Sequence, residues 1–218
     1  LFDKINEYKK SKNVYVVGFT NSGKSTLINK IIYNYSENET NITTSNLPST
    51  TIDSITIDIN DKLSLIDTPG LFGTKEKEID GDLVKFSEIT KKFISEAHIV
   101  LYVTSAQVPV KESHSAILRK VLRDLGKLDS TIFVLNKMDE TGVNITNEEA
   151  YQEMCGIKKN FLIERLRNII GLSDQEIGRL KIVCVCSDPK AKGIQKWLET
   201  PERYRQLSRL PQLKQTEV

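Results

Sequence analysis

Cysteine is scarce, net charge is close to zero and no long apolar run occurs; each shortage removes a class of function. Three cysteines in 218 residues make no even set for a disulfide framework, and none forms a C-x-x-C pair, which points to a reducing compartment. No apolar stretch approaches the ~20 residues of a membrane-spanning helix. Lysine and arginine number 31 against 29 acidic residues, a net charge of +2 that excludes an acidic tail protein and a generic polyanion binder. A secretory signal is absent too, since the chain opens Leu1-Phe-Asp-Lys-Ile-Asn-Glu7. That opening lacks methionine and falls inside a helix-like pattern, so the expectation is a soluble, cytoplasmic domain of a longer protein.

What is present is a mix of 39% apolar and 28% charged residues, enough to bury a real core in one large domain or a small pair. Leu1, Ile5 and Tyr8 share a helical face, which predicts a helical flank over residues 1–12. Asn13 to Val17 reads as a short strand ending at Gly18, and Thr26 to Ile32 as a helix with the 3.6-residue period. Asn34 to Ser49 is polar and reads as a long loop. Ile55, Ile57 and Ile59 alternate with polar residues, then Leu63 and Leu65 continue past a turn, so these two strands should pair as a hairpin.

Helices and strands then alternate. Helical patterns cover Leu83 to Glu96, Ser113 to Leu125 and Glu148 to Ile170; apolar strands cover Ile99 to Val103, Thr131 to Leu135 and Leu180 to Cys186. Ser173 and Glu176 carry the spacing of a capping box. Ile194 to Leu198 begins a last helix, and Glu202 to Leu213 reads as a helical tail over 201–218. The alternation predicts an α/β fold with a mostly parallel sheet covered by helices on both faces. The segment from Thr141 to Leu180 is long for a crossover, either a partner-binding insert or ordinary covering helices. Cys184 and Cys186 face one side of a strand and read as packing. His98 and His114 read as structural.

The chemistry concentrates in a few short motifs. Gly18-Phe-Thr-Asn-Ser-Gly23-Lys24-Ser25 matches G-x-x-x-x-G-K-[ST] at every fixed position, after a strand and before a helix. Such a loop turns successive backbone N–H groups and a helix N-terminus toward phosphate oxygens. Asn21, Ser22, Gly23, Lys24, Ser25 and Thr26 would line it, with Lys24 reaching the β- and γ-phosphates and Ser25 placing its hydroxyl on Mg²⁺.

With this loop the chain resembles the P-loop GTPases, and later motifs extend the likeness. Asp67-Thr-Pro-Gly70 is similar to the family's D-x-x-G: the resemblance implies that Asp67 holds Mg²⁺ through water and that the Gly70 N–H senses the γ-phosphate. Asn136-Lys137-Met138-Asp139 matches N-K-x-D. The Asp139 carboxylate can accept from N1–H and the exocyclic amine of guanine, whereas adenine offers neither donor, so GTP is implied over ATP. Asn136 and Lys137 would tie this loop to the phosphate loop and flank the base. Pro48-Ser-Thr-Thr51-Ile-Asp53 is similar to switch I of the TrmE–Era–YqeH-like GTPases, which makes Thr51, rather than Thr50, the implied Mg²⁺ ligand. The fifth motif departs from the family's Ser-Ala-Lys: Cys186-Ser187-Asp188-Pro189 stands in its place, with Ser187 and Asp188 where a backbone N–H would meet the guanine oxygen.

Two further features bear on mechanism. Leu71 follows Gly70 where Ras-like enzymes carry the glutamine that orients water. Asn21 matches the asparagine of relatives activated by K⁺, an alternative to an asparagine that only braces the loop. The resemblance covers about Asn13 to Leu198 and implies a Ras-like domain over 13–200: six mostly parallel strands with one antiparallel edge hairpin. YqeH-like proteins share much of the local wording but are circularly permuted, and this chain is not. The implied activity is slow GTP hydrolysis to GDP and phosphate, catalysed by Lys24, Thr51, Gly70 and Asn21. Three settings fit: a dynamin-like protein with nucleotide-dependent G-domain dimers and a membrane surface as partner, an Era-like switch on RNA or the ribosome, and a septin-like assembly protein. The helix-like ends tip the expectation to the dynamin-like setting, peripheral to a membrane.

Overall fold

The computed structural model describes residues 12–18, 21–35, 55–60, 63–67, 94–110, 112–193, 196–197 and 199–215. Its centre is a six-stranded sheet in the order β2-β3-β1-β4-β5-β6. The strands are β1 (Lys12–Gly18), β2 (Ile55–Asn60), β3 (Leu63–Asp67), β4 (Ile99–Ser105), β5 (Thr131–Asn136) and β6 (Lys181–Cys184). All neighbours run parallel except the β2–β3 edge hairpin, where Ile55 faces Asp67 and the register shifts between Asp58 and Asn60. The expected fold class is therefore the observed one.

Burial explains which strands were easy to read. Val14 to Val17 and all of β5 from Thr131 to Asn136 are buried, as are Ile99 to Thr104 of β4. Strands covered on both faces need apolar side chains in both directions, hence continuous runs instead of alternation. β1 starts at Lys12, paired beside Leu63, one residue earlier than the apolar run suggests.

Chain direction decides where the helices go. Helix α1 (Lys24–Tyr35) follows β1 and leads toward β3 on one side, while β4, β5 and β6 succeed one another on the other side. Because parallel crossovers are right-handed, these two directions place their helices on opposite faces. The reversal occurs at β1, so the crevice beyond its C-terminal end is the natural ligand position of such a sheet.

The crossover from β4 to β5 is not one regular helix. A 3₁₀ turn (Glu112–His114), helix α2 (Ser115–Arg119) and a π turn (Lys120–Asp124) follow one another, the last closed by Leu125 N–H to Lys120 C=O at 2.9 Å. The extra residue in the π turn keeps Val121 and Leu122 in the core. Arg119 and Arg123 then reach across to Ile169 C=O (2.7 Å) and Gly171 C=O (2.8 Å) at the end of α3 (Glu148–Ile170), satisfying carbonyls the helix itself cannot.

Helix α3 is capped by Asn147, which accepts from the Ala150 N–H (3.1 Å), and it stops at Gly171 with φ +72°. Its inward face, Tyr151, Cys155, Leu162 and Leu166, is part of the single core, and the Tyr151 hydroxyl donates to Cys184 C=O at 3.0 Å. Residues 148–170 thus cover the sheet. Helix α4 (Asp174–Ile177) carries the expected capping box of Ser173 and Glu176.

β6 ends at Cys184, two residues before the expected boundary. The Cys186 N–H leaves the sheet and donates to Ser208 C=O (2.9 Å) at the end of helix α5 (Pro201–Ser208). The tail is two helices, α5 and α6 (Leu210–Gln215), broken at Arg209 with φ +58°. Tyr204, Leu207, Leu210 and Leu213 are buried in the same core as the strands. Of the helices expected at Leu83–Glu96 and Ile194–Leu198, only 94–96 and 196–197 fall within the described residues, and they are helical. Of the helical flank expected over residues 1–12, only Lys12 is described, and it lies in β1 instead of a helix. His98 is exposed and its Nδ1 accepts from the Asn13 N–H at 3.1 Å, whereas His114 is buried. Among the described residues no helix is long and apolar enough to cross a membrane.

Candidate functional site

The loop after β1 is shaped by two glycines whose positive φ and close contacts make any side chain costly there. A Cβ on Gly18 would lie 2.0 Å from Val103 O of the neighbouring strand, and one on Gly23 would lie 2.4 Å from Asn136 Nδ2. Both have positive φ, +154° and +85°, as has Asn21 at +63°. The loop therefore lies close against β4 and the end of β5. Lys24, at the start of α1, folds back so that Nζ donates to Gly18 C=O at 2.8 Å. That bond closes the loop on itself and holds a mostly buried ammonium at its mouth. Ser25 is exposed beside it and Thr26 half-buried. The Ser22 side chain is buried, and its Oγ has no hydrogen-bond partner.

Asn136 joins three segments that are far apart in the chain. Its Nδ2 donates to Ser22 C=O (2.9 Å) and to Ser187 Oγ (3.0 Å), and its Oδ1 accepts from the Ser187 N–H (2.9 Å). The residue is fully buried. The expected tie from N-K-x-D to the phosphate loop is thus present and extends to the fifth motif. Lys137 follows in a left-handed conformation (φ +61°) and pairs with Glu140 at 2.9 Å. The loop is braced by Gln107, two residues beyond β4, whose Nε2 donates to Glu140 C=O at 2.7 Å.

Asp139 is half-buried, and its Oδ2 accepts from the Lys190 N–H at 2.7 Å. The Cys186 thiol, buried beside this carboxylate, is pushed up to about 12, by burial first and then by the negative charge. Sequence reasoning missed the Lys190 amide because no side chain signals it. It is presented by a turn in which Lys190 and Ala191 both have positive φ, +58° and +48°.

At the fifth motif the Ser187 N–H is committed to Asn136, which of the two expected positions leaves the Asp188 N–H for the guanine oxygen. The Asp188 carboxylate turns into its own loop, accepting from Gly193 N–H (3.0 and 3.2 Å) and Trp197 Nε1–H (3.1 Å). Pro189 has no N–H to give. The loop also rests on α5: Tyr204 donates to Ser187 C=O at 2.8 Å, and its ring packs 5.7 Å from Trp197. Lys30 of α1, buried, lies 4.3 Å over the same Tyr204 ring. Burial pulls its pKa down, and Asp188 partly restores it.

The residues present suit Mg²⁺. This ion takes oxygen ligands and is commonly held by one or two protein groups plus substrate phosphates. Ser25 offers an exposed hydroxyl at the start of α1, and Asp67 ends β3 in register with Val16, two residues before Gly18. Among the described residues no three His, Cys, Asp or Glu side chains converge as metal ligands. Thr51 and Gly70 lie outside the described residues, as does Leu71. Cys155, Cys184 and Cys186 are free and buried, consistent with packing.

This geometry can be set against known proteins. A family model described as a 50S ribosome-binding GTPase matches residues 13–137, and one described as a dynamin-like helical domain matches residues 172–217. The chain is 50% identical over 76 residues to the uncharacterized protein YqeH of Bacillus subtilis, covering 35% of this chain and 21% of YqeH. It is 31% identical over 170 residues to GTPase Der of Serratia proteamaculans, covering 76% of this chain and 32% of Der. Among solved structures, LeoA, a bacterial dynamin GTPase from ETEC, is similar with a TM-score of 0.77 and 35% identity, over 95% of this chain and 35% of LeoA. The chain thus spans about a fifth to a third of the curated relatives it matches.

Proposed function

The chain belongs to the 50S ribosome-binding GTPase family, and from that premise we propose that it hydrolyses Mg²⁺-GTP as the switch domain of a larger dynamin-like protein. The observation that carries nucleotide binding is the Asn136 clasp, which holds the phosphate loop, the base-reading loop and the fifth motif as one hydrogen-bonded unit. A preassembled site of this kind binds without first ordering its loops.

In this reading the loop amides and Lys24 neutralise the β- and γ-phosphates, and Asp139 reads the guanine edge. Ser25 and Thr51 would hold Mg²⁺ directly and Asp67 through water, and the ion would stabilise charge on the phosphate oxygens. Water attacks the γ-phosphate in line, and the Gly70 N–H reports its loss. Leu71 supplies no hydrogen bond to orient that water, so turnover by an isolated domain is slow. Asn21 in this reading holds K⁺ and completes the charge, as the resemblance to K⁺-activated relatives implies.

The dynamin-like setting is supported by the LeoA likeness over nearly the whole chain and by the helical-domain match over 172–217. It makes a second G domain the natural partner and a membrane surface, reached from the cytoplasm, the natural substrate for mechanical work. A ribosomal or RNA partner is the second reading, favoured by the description of the matched family. The test is GTP hydrolysis measured against protein concentration in KCl and in NaCl, with Lys24→Ala as the blank. Specific activity rising with concentration supports paired G domains, and a rise confined to KCl supports the role of Asn21. A flat, slow rate in both salts overturns self-activation, and a rate raised by 50S subunits but not by anionic vesicles favours the second reading.

A further inference from the structure

We propose that Asp188 is a positioning residue for guanine specificity. It folds the 188–193 turn so that the Lys190 amide holds Asp139 in its base-reading orientation. The inference rests on the reading of Asp139 as the guanine-binding carboxylate.

A carboxylate that reads two donors on one base edge must present both oxygens in one plane, and rotation about its Cβ–Cγ bond is soft. At Asp139 that rotation is restrained by the Lys190 N–H on Oδ2, at 2.7 Å. Each carboxylate oxygen accepts more than one hydrogen bond, so Oδ2 can keep this amide while it also accepts from the base.

The amide reaches Asp139 only because Lys190 and Ala191 both adopt positive φ, +58° and +48°. Neither is glycine, so the turn is strained and must be held from outside. The Asp188 residue provides the hold. Its C=O accepts from the Ala191 N–H at 2.9 Å, and its carboxylate accepts from Gly193 N–H and from Trp197 Nε1–H. Trp197 is itself buried against Tyr204, whose hydroxyl bonds back to Ser187. The loop is thereby pinned at both ends to α5. Since the Asp188 oxygens are turned into the loop, the residue acts on the base through Lys190 and Asp139.

The experiment measures Kd for GDP, IDP and XDP with the full chain, by calorimetric titration. IDP lacks the 2-amine, so the IDP-to-GDP ratio of Kd values reports how well Asp139 is aimed, while general damage to the site weakens both nucleotides alike. Asp188→Ala should lower that ratio by about tenfold, the value of one well-made charge-assisted hydrogen bond. Asp188→Asn keeps one acceptor and should restore part of the ratio. Trp197→Phe removes the indole N–H but keeps the ring, and should lower the ratio by a few-fold. A folded Asp188→Ala protein with an unchanged ratio overturns the proposal. If that variant does not fold, an unchanged ratio in Trp197→Phe overturns it. Asp139→Asn is the independent control: it should shift preference from GDP to XDP, and failure to do so overturns the reading of Asp139 itself, whatever Asp188 shows.

Discussion

Asn136→Ala is the substitution for which the structure sets the magnitude most directly. The side chain is fully buried, and its amide makes three hydrogen bonds, to Ser22 C=O, Ser187 Oγ and the Ser187 N–H. Truncation removes both partners' contacts and leaves the Ser187 N–H and Ser22 C=O facing a small void. A net hydrogen bond contributes about 1 kcal/mol, and each buried orphan costs about 1–3 kcal/mol. Two orphans give a loss of about 3–5 kcal/mol, a large share of the 5–15 kcal/mol typical of a domain. With a urea slope of roughly 2–3 kcal/mol per molar, the midpoint should fall by about 1.5 M. GDP affinity should fall as well, since the phosphate loop and the base loop lose their common anchor. Urea unfolding followed by tryptophan fluorescence, with Trp197 the sole tryptophan, reads the first quantity, and calorimetric titration reads the second. A loss under about 1 kcal/mol with GDP binding unchanged would refute the argument that this clasp organises the site.

Three other outcomes follow from the same contacts. Gly23→Ala combines φ +85° with a Cβ 2.4 Å from Asn136 Nδ2, so it should weaken GDP binding at least as much as Asn136→Ala; titration of both variants checks the order. The Glu176 carboxyl is held down at about 2 by Arg123, then by Ser173, against an ordinary value of 4.5. A depressed carboxyl contributes stability above its unfolded value and loses it as pH falls, here between about 4.5 and about 2. The gap in denaturation midpoint between the wild type and Arg123→Ala should therefore narrow as pH falls from 7 through about 4.5 toward about 2, leaving the part due to the Arg123–Gly171 bond. All three cysteines are buried; the hydrogen bond with Cys155 and then burial push the Cys184 thiol up while the same bond draws Cys155 down, and burial pushes Cys186 to about 12, so by burial alone the native protein should react with no equivalent of an aromatic disulfide reagent and with three after unfolding. One fast-reacting thiol in the folded protein would contradict the packing described.

Most of the exposed apolar surface needs no special account, since single exposed residues are ordinary. Ile157 and Phe161 are an exception in spacing: both are about half exposed and lie four residues apart on α3. At about 100° per residue they lie on the side of α3 turned away from the buried stripe of Tyr151, Cys155 and Leu162. Phe161→Ser should therefore change stability little, which distinguishes this side from the core face of the same helix.

The strands and the phosphate loop could be read without coordinates because their causes are local. A strand buried on both faces must be apolar along its length, which marked β1, β4 and β5. Gly18, Gly23, Lys24 and Ser25 are required within one turn of chain, so their spacing alone carries the chemistry. Asn136 and Asp139 belong to the same class, since a short motif after an apolar strand reports its own place at the strand's end. The fifth motif could not be read this way. What Ser187 and Asp188 do depends on partners 51 residues earlier at Asn136 and on Trp197 and Tyr204 further on, and their side chains turn inward instead of to the base. The Lys190 amide left no trace at all, because a backbone N–H is the same in every residue and only the fold aims it at Asp139. The change from 3₁₀ to α to π geometry in the β4–β5 crossover was equally hidden, since Val121 and Leu122 stay buried through the π turn. The sheet, the phosphate loop and the N-K-x-D motif were legible along the chain because their requirements lie within a few consecutive residues. Only tertiary structure decided how the last loop is held, because hydrogen bonds between segments distant in the chain have no local period to betray them.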